Sequence, residues 1–197
     1  MSDVHEHLEH MEHAEHAAHS NRKIALLIAV LALFLALSET LGKSAQTEGI
    51  GANIEASDLW AFFQAKTIRQ TVLRTGGEAL TIELATVNDA ATKAAMEKQI
   101  DTWKKTIERY ESEPSTNEGR KELTARAQES EHKRDLALAK YHNYELASAA
   151  YQIGIVLASA SVITGMLALA YAAAGVGLVG IMFAGLGLLA PHALHLG

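Results

Sequence analysis

The sequence predicts an all-α integral membrane protein with about three transmembrane helices and a long extramembrane helical hairpin, a coiled-coil-like stalk. Three observations carry this. No Asp, Glu, Lys, Arg or His occurs from Leu146 to Pro191 or from Ile24 to Ser38. A globular helix shows a polar face every turn or two, so charge-free runs of this kind point to lipid as their solvent. The charged residues concentrate between those runs, where apolar residues recur at helical spacing, and only two prolines interrupt the 197 residues.

Four parts follow in order: a His/Glu-rich amphipathic tail (1–23), a first transmembrane helix (24–41), the hairpin stalk (42–149) and a transmembrane hairpin (150–197). A helix needs about 20 residues to cross roughly 30 Å of hydrocarbon. Ile24–Leu41 is slightly short, but Glu39 lies near its end, where a carboxylate can reach water, and Arg22 and Lys23 can snorkel at the other. A cleaved signal peptide fits poorly, because the residues ahead of the apolar run are long, acidic and His-rich.

In the stalk, Met96, Ile100, Trp103, Ile107 and Tyr110 repeat with 4-3-4-3 spacing, a coiled-coil seam. Leu80, Leu84, Val87, Ala91 and Ala94 extend the pattern upstream after a phase slip. Gly76-Gly77 is expected to break or kink the outgoing arm. Ser112–Gly119, containing Pro114, is expected to be the hairpin turn, with Ser115 and Glu118 at capping-box spacing. The returning helix carries Leu123, Ala127, Ala137, Tyr141 and Tyr144 and runs into the second span. Trp60, Phe62 and Phe63 spread over several faces beside the stripe Ala61, Ala65, Ile68 and Val72. One partner helix cannot bury all of these, so they fit a subunit interface or a three-helix core equally well.

The last block reads as spans of about 150–172 and 176–191 joined at the small residues Ala172–Gly177, the second short enough to be re-entrant. Gly154/Ala158, Ser161/Gly165, Ala173/Gly177 and Gly180/Ala184 recur at four-residue spacing, which suits close helix packing within or between chains. Gly165, Gly177 and Gly180, with Trp60, Phe62, Phe63 and Ile68, are the candidate interface residues. Gly175–Gly180 matches a dinucleotide-binding G-x-G-x-x-G, but it lacks the preceding strand and the acidic residue beyond.

The tail offers the one candidate metal chemistry. Glu-His recurs every three residues through Glu15-His16, and His19 ends the series. Imidazole and carboxylate suit zinc, nickel or copper. The candidate ligands are His7, His10, His13, His16, His19, Glu9 and Glu12. A three-residue step turns about 300° on a helix, so only neighbouring imidazoles converge and a closed site needs ligands from a second chain. The same residues also form i,i+4 acid-to-His pairs that support an amphipathic helix.

The tail "HLEHMEHAEHAAH", the span after it, the stretch "NIEASDLWAFFQAKTIRQ" and the paired apolar segments resemble a bacterial membrane-protein family catalogued only as a domain of unknown function. The resemblance covers the whole chain and implies a helical membrane protein of a bacterial inner (cytoplasmic) membrane. It carries no catalytic assignment. Arg22 and Lys23 against Lys43 place the N-terminus inside, whereas Lys133, Arg134 and Lys140 favour an internal hairpin.

No enzyme is expected. Position 9 is Glu where a zincin needs His, the absence of Cys excludes thiolate sites and thiol enzymes, and no phosphate-binding or nucleophile-elbow motif occurs. His132 and His142 are expected to be solvent-facing, and His192 and His195 to be interfacial or to join an oligomeric metal site. Membrane lipid and further copies of the chain are the expected partners, and the net charge of −6 argues against nucleic acid. The expected function is a self-assembling structural or scaffolding membrane protein. Metal binding through the tail is the alternative, and a channel or transporter subunit, with Glu39 lining a cation path, is the third reading.

Overall fold

A computed structural model describes the backbone of residues 2–193 and the side chains of residues 21–193. Four helices follow one another: α1 (Ser2–Leu84), α2 (Ala90–Glu111), α3 (Arg120–Thr164) and α4 (Leu167–Leu189). No strand occurs among the described residues. Three of the helices, α1, α3 and α4, are long and apolar enough to cross a membrane. The chain divides into two compact units, Met1–Glu48 with Leu136–Gly197 (the span unit) and Gly49–Asp135 (the arm unit).

In the span unit three helices pack with α3 antiparallel to α1 and α4. Ile24 meets Ala158 and Ala173 at one end, and Leu31 meets Ala147 and Tyr151 further along. The Phe34 and Tyr151 rings stack at 5.9 Å. Large apolar side chains point the other way: Leu26, Leu33, Ile163, Tyr171, Leu178 and Leu189 are all exposed. A few large residues seated on Ala and Gly inside, with many Leu, Ile and Val outside, suit an apolar solvent.

The turn of the second pair of spans is not at Ala172–Gly177. It lies at Gly165-Met166, where Gly165 adopts φ +70° and the buried Ser161 hydroxyl donates to the Met166 carbonyl at 2.9 Å. Positive φ is cheap only for glycine, which fixes the reversal there. Ala172–Gly177 stays inside α4 because its small residues admit neighbours: a Cβ on Gly177 would stand 2.7 Å from Leu31 Cδ2. Placing the turn earlier gives α4 all 23 residues, about 34 Å, long enough for a full crossing.

The arm unit is a hairpin with its tip elsewhere than expected. α1 runs unbroken through Gly76-Gly77 to Leu84, and the chain reverses over 85–89. The Asp89 carboxylate caps α2, accepting from the Thr92 amide at 2.8 Å and the Thr92 hydroxyl at 2.6 Å. The apolar pattern Leu80–Ala94 therefore crosses a turn rather than a helix. Gly76 is present for packing, with the Trp103 ring 3.3 Å from where a Cβ would stand. α2 runs back along α1, with Trp103 against Gly76 and the Ile107 carbonyl accepting from Gln70 Nε2 at 3.3 Å. α3 then continues antiparallel along the earlier part of α1, where Leu123 and Ala127 pack on Leu59.

Residues 112–119 are thus a break inside the returning arm, not the hairpin tip. Ser115 and Glu118 do not cap α3. The closure is made by Glu122, which accepts from the Ser112 hydroxyl at 2.6 Å and the Glu113 amide at 3.2 Å, with Asn117 in left-handed backbone at φ 55°.

The glycines of α4 yield a test. A Cβ on Gly180 would stand 2.6 Å from Tyr151 Cε1, whereas Gly175 and Gly185 have nothing within 4 Å. Gly180→Ala should destabilise the detergent-solubilised protein by about 1–3 kcal/mol through overpacking. Gly175→Ala and Gly185→Ala should leave the thermal midpoint unchanged or raised, since alanine favours helix by roughly 0.5–1 kcal/mol. Equal midpoints for all three variants would remove the packing argument.

Candidate functional site

The most densely connected polar group lies in the arm unit, where α1 passes the break between α2 and α3. Lys66 and Gln70 are one turn apart on α1, on the face toward the returning arm, and both are almost fully buried. The Lys66 ammonium lies 3.8 Å from Glu113 Oε2 and 3.7 Å from Glu118 Oε2, both on the loop. It also lies over the rings of Phe62 (4.9 Å) and Tyr110 (5.7 Å). Arg120, the first residue of α3, donates through Nη1 to Gln70 Oε1 at 2.6 Å and Glu111 Oε2 at 2.8 Å, and its guanidinium lies 4.9 Å over Phe63. A buried lysine is tolerable only where carboxylates and ring faces replace its water.

The aromatic candidates join the same construction. Trp60 Nε1 donates to Glu131 Oε1 at 2.9 Å, and the Trp60 and Phe63 rings meet edge to face at 5.6 Å. Both rings, with Phe62, pack against the Leu59–Leu123–Ala127 cluster. Each of the three rings therefore has partners inside its own chain. One partner helix suffices because Trp60 and Phe63 lean toward α3 while Phe62 lies beneath Lys66.

Ile68 differs. It is 65% exposed and belongs to a row along α1 with Ile50, Ile54, Ala61, Val72 and Ile82, of which all but Ala61 are large and lie between 55% and 74% exposed. The spacings are 4, 7, 7, 4 and 10 residues, all sums of the threes and fours that keep a row on one helix face. Over 32 residues the row is about 48 Å long.

The other candidates sit apart from this group. Gly177 and Gly180 receive Leu31 and Tyr151 of the same chain, and Gly165 forms the α3–α4 turn. Glu39 accepts from Gln152 Nε2 at 3.4 Å in the span unit. His132 and His142 are exposed on α3. The metal candidates His7, His10, His13, His16, His19, Glu9 and Glu12 lie outside the described side chains, as does His195. Among the described residues no three His, Cys, Asp or Glu side chains are grouped to hold a metal.

The Lys66–Gln70–Arg120 network was not anticipated from sequence. Its one signal was a lysine and a glutamine in helical register with Phe62 and Phe63, inside a stretch read only for its rings. The arrangement holds a broken arm together.

A family model described as a domain of unknown function (DUF4337) matches residues 20–190, and the chain belongs to that family. No curated protein and no solved structure matches it.

Hydrogen bonds from Ser112 and then the Glu113 backbone hold the Glu122 carboxyl below the usual carboxylate range. A depressed folded-state value means that this stabilisation is present above the unfolded value, about 4.3, and is lost as pH falls through the lower folded value. Trp60 and Trp103, the two tryptophans of the chain, both lie in the arm unit. Their fluorescence in urea should show a midpoint that falls below about pH 4.5, and Glu122→Gln should flatten that fall. Gly119→Ala should lower the midpoint at every pH, because its Cβ would collide with Glu122 and the Glu113 backbone.

Proposed function

We propose that the protein is a self-assembling structural membrane protein, anchored by its three apolar helices and joined to other copies of itself through the exposed α1 row Ile50–Ile82. That row is the observation that carries the reading. β-branched residues placed in water at heptad spacing along one helix face are costly unless covered. Three spans would hold every copy in one orientation, so the rows of two copies run parallel and meet residue for residue as an isologous contact. Confinement to a membrane raises the local concentration of such rows, so a modest contact area suffices.

The family match supports no activity, and the polar network supports a mechanical role rather than a chemical one. Metal binding through the tail remains the alternative, with zinc, nickel or copper as candidates. A channel built around Glu39 is the third reading. No specific observation favours either.

The chain has no cysteine, which makes crosslinking clean. Ile54→Cys and Ile68→Cys should each give a dimer on mild oxidation in native membranes, while cysteine at Arg74, on the flank of α1 that lines the groove with α2, should not. Ile68→Asp with Val72→Asp should reduce the assembled mass in mild detergent without lowering the arm's own thermal midpoint, since both side chains are about two-thirds exposed, at 65% and 64%. Carbonate washing should leave every variant in the membrane fraction. Monomeric wild-type protein in native membranes would overturn self-assembly, and recovery of monodisperse protein without detergent would overturn the membrane reading.

A further inference from the structure

The span unit contains a polar cleft of about 430 Å³ between α1 and α3. Its α1 wall holds Ser38, Glu39, Lys43 and Gln46, and its α3 wall holds Tyr141, Glu145, Ser148 and Gln152. The cleft lies where charged sequence gives way to charge-free sequence on both walls. Glu39 follows directly on the run Ile24–Ser38, and Glu145 directly precedes the run that starts at Leu146. Glu39 is 15 residues beyond Ile24, about 22 Å along the helix. That is about 8 Å short of a full crossing of roughly 30 Å, so Glu39 lies about one and a half turns below the level at which lipid headgroups meet acyl chains and its side chain can extend toward it.

The donor and acceptor inventory is specific. The two walls bring together the carboxylates of Glu39 and Glu145, the amide of Gln152 and the Tyr141 phenol. The bonds among them are long, Gln152 to Glu39 at 3.4 Å and Tyr141 to Glu145 at 3.4 Å. Both carboxylates keep lone pairs free for a further donor. Lys43 is the one cation of the cleft. Two carboxylates against one ammonium leave a net negative charge, so an anionic ligand is repelled and one with a cationic pole is favoured. Beyond the polar part toward the apolar run, the exposed Ala32 and Ala36 on α1 and Val156 on α3 leave the walls shallow and apolar.

We infer that this cleft binds the headgroup of a zwitterionic phospholipid carrying a primary ammonium. The three N–H donors of that ammonium are taken by Glu39, Glu145 and the neighbouring neutral oxygens. The phosphate rests on Lys43, and an acyl chain lies along Ala32, Ala36 and Val156. A quaternary ammonium has no N–H to give, so it cannot satisfy the carboxylates. A glycerol headgroup brings no cation at all. The inference rests on the spans crossing a membrane. It is independent of self-assembly, and the carbonate wash reads failure of the membrane premise separately.

The test uses the full-length protein, delipidated in mild detergent and challenged with dioleoyl lipids that differ only in headgroup. These are phosphatidylethanolamine, its N-methyl and N,N-dimethyl forms, phosphatidylcholine and phosphatidylglycerol, with native mass spectrometry counting the lipid retained per chain. One phosphatidylethanolamine per chain should be held about tenfold more tightly than phosphatidylcholine, the scale of a lost charge-assisted hydrogen bond. Retention should fall with each added methyl. Glu39→Gln with Glu145→Gln should bring phosphatidylethanolamine down to the phosphatidylcholine level, and Lys43→Gln should weaken every phospholipid alike. The lipid series needs only the unaltered protein, so a variant that fails to fold leaves the test standing. Equal retention of ethanolamine and choline lipids, or preference for phosphatidylglycerol, overturns the proposal. So does failure to hold any lipid, as when a second copy seals the cleft, and so does displacement by soluble glycerophosphoethanolamine at equal concentration.

Discussion

At each level of the arm unit α1 has a single partner helix, and the rest of that unit follows from this constraint. Two helices side by side bury one stripe each, so the contact must be made dense where it exists. Gly76 lets the Trp103 ring sit against the α1 backbone. Trp60 and Phe63 cover Leu123 and Ala127 while the indole N–H finds Glu131. Where the returning arm is loop rather than helix, over 112–119, the facing α1 residues become polar. Lys66 meets the loop carboxylates of Glu113 and Glu118 there, because a loop offers no apolar stripe to meet, and Gln70 meets the end of α2 through the Ile107 carbonyl. Such a buried network adds little net stability compared with a well-packed apolar contact, but removing one member leaves charges stranded. Its contribution is to fix which loop closes on which helix, and so the register of α3 on α1.

The span unit solves the opposite problem. Lipid tails are as apolar as leucine, so burial gives no drive between helices and close backbone approach must supply it. Gly177 and Gly180 receive Leu31 and Tyr151 at distances that leave no room for a side chain, and Gly154 and Gly187 receive Leu31 and Tyr144 at tight contact. The outward faces carry the large residues that a water-soluble protein would bury. The Asn143 amide, donating to the Pro191 carbonyl at 3.0 Å, ties the segment after α4 back to α3.

Element type was legible in the sequence; element ends were not. The charge-free runs pointed to the three long apolar helices, and the 4-3 spacing of Met96–Tyr110 fell within the single helix α2, because each is a sum over many residues. The turns depend on single residues whose role is set by distant neighbours. Gly76-Gly77 and the small residues of Ala172–Gly177 looked like breaks, yet each lies inside a helix and accommodates a bulky partner. Gly165, which does break the chain, was read as a packing residue. Glycine serves both purposes, and only the neighbour's position distinguishes them. Pro114 marked an interruption correctly, but whether it was a hairpin tip or a break in one arm depended on which α1 residues lay opposite. The ionic group at Lys66 was hidden for the same reason: its carboxylates come from 47 and 52 residues further along the chain, at Glu113 and Glu118.

These two solutions together bear on where copies of the chain would recognise one another. Small residues at four-residue spacing are the usual means of joining helices in lipid, and they favoured contacts between subunits when read alone. Most of them are already occupied within the chain: Gly154, Gly177 and Gly180 each have a side chain of the same chain pressed against them, while Gly175 and Gly185 face open space ten residues apart. What the spans present outward is mainly Leu, Ile and Val, for which lipid chains are equivalent partners. Selectivity on the proposed reading therefore falls to the arm unit, where water makes the same residues expensive to expose. The middle of the Ile50–Ile82 row, at Ile68 and Val72, is open to solvent, while Ile54 and Ile82 also edge the grooves against α3 and α2, so a second copy can cover the row's outward side without dismantling either contact. Anchoring and recognition are then carried by different solvents acting on the same kinds of side chain.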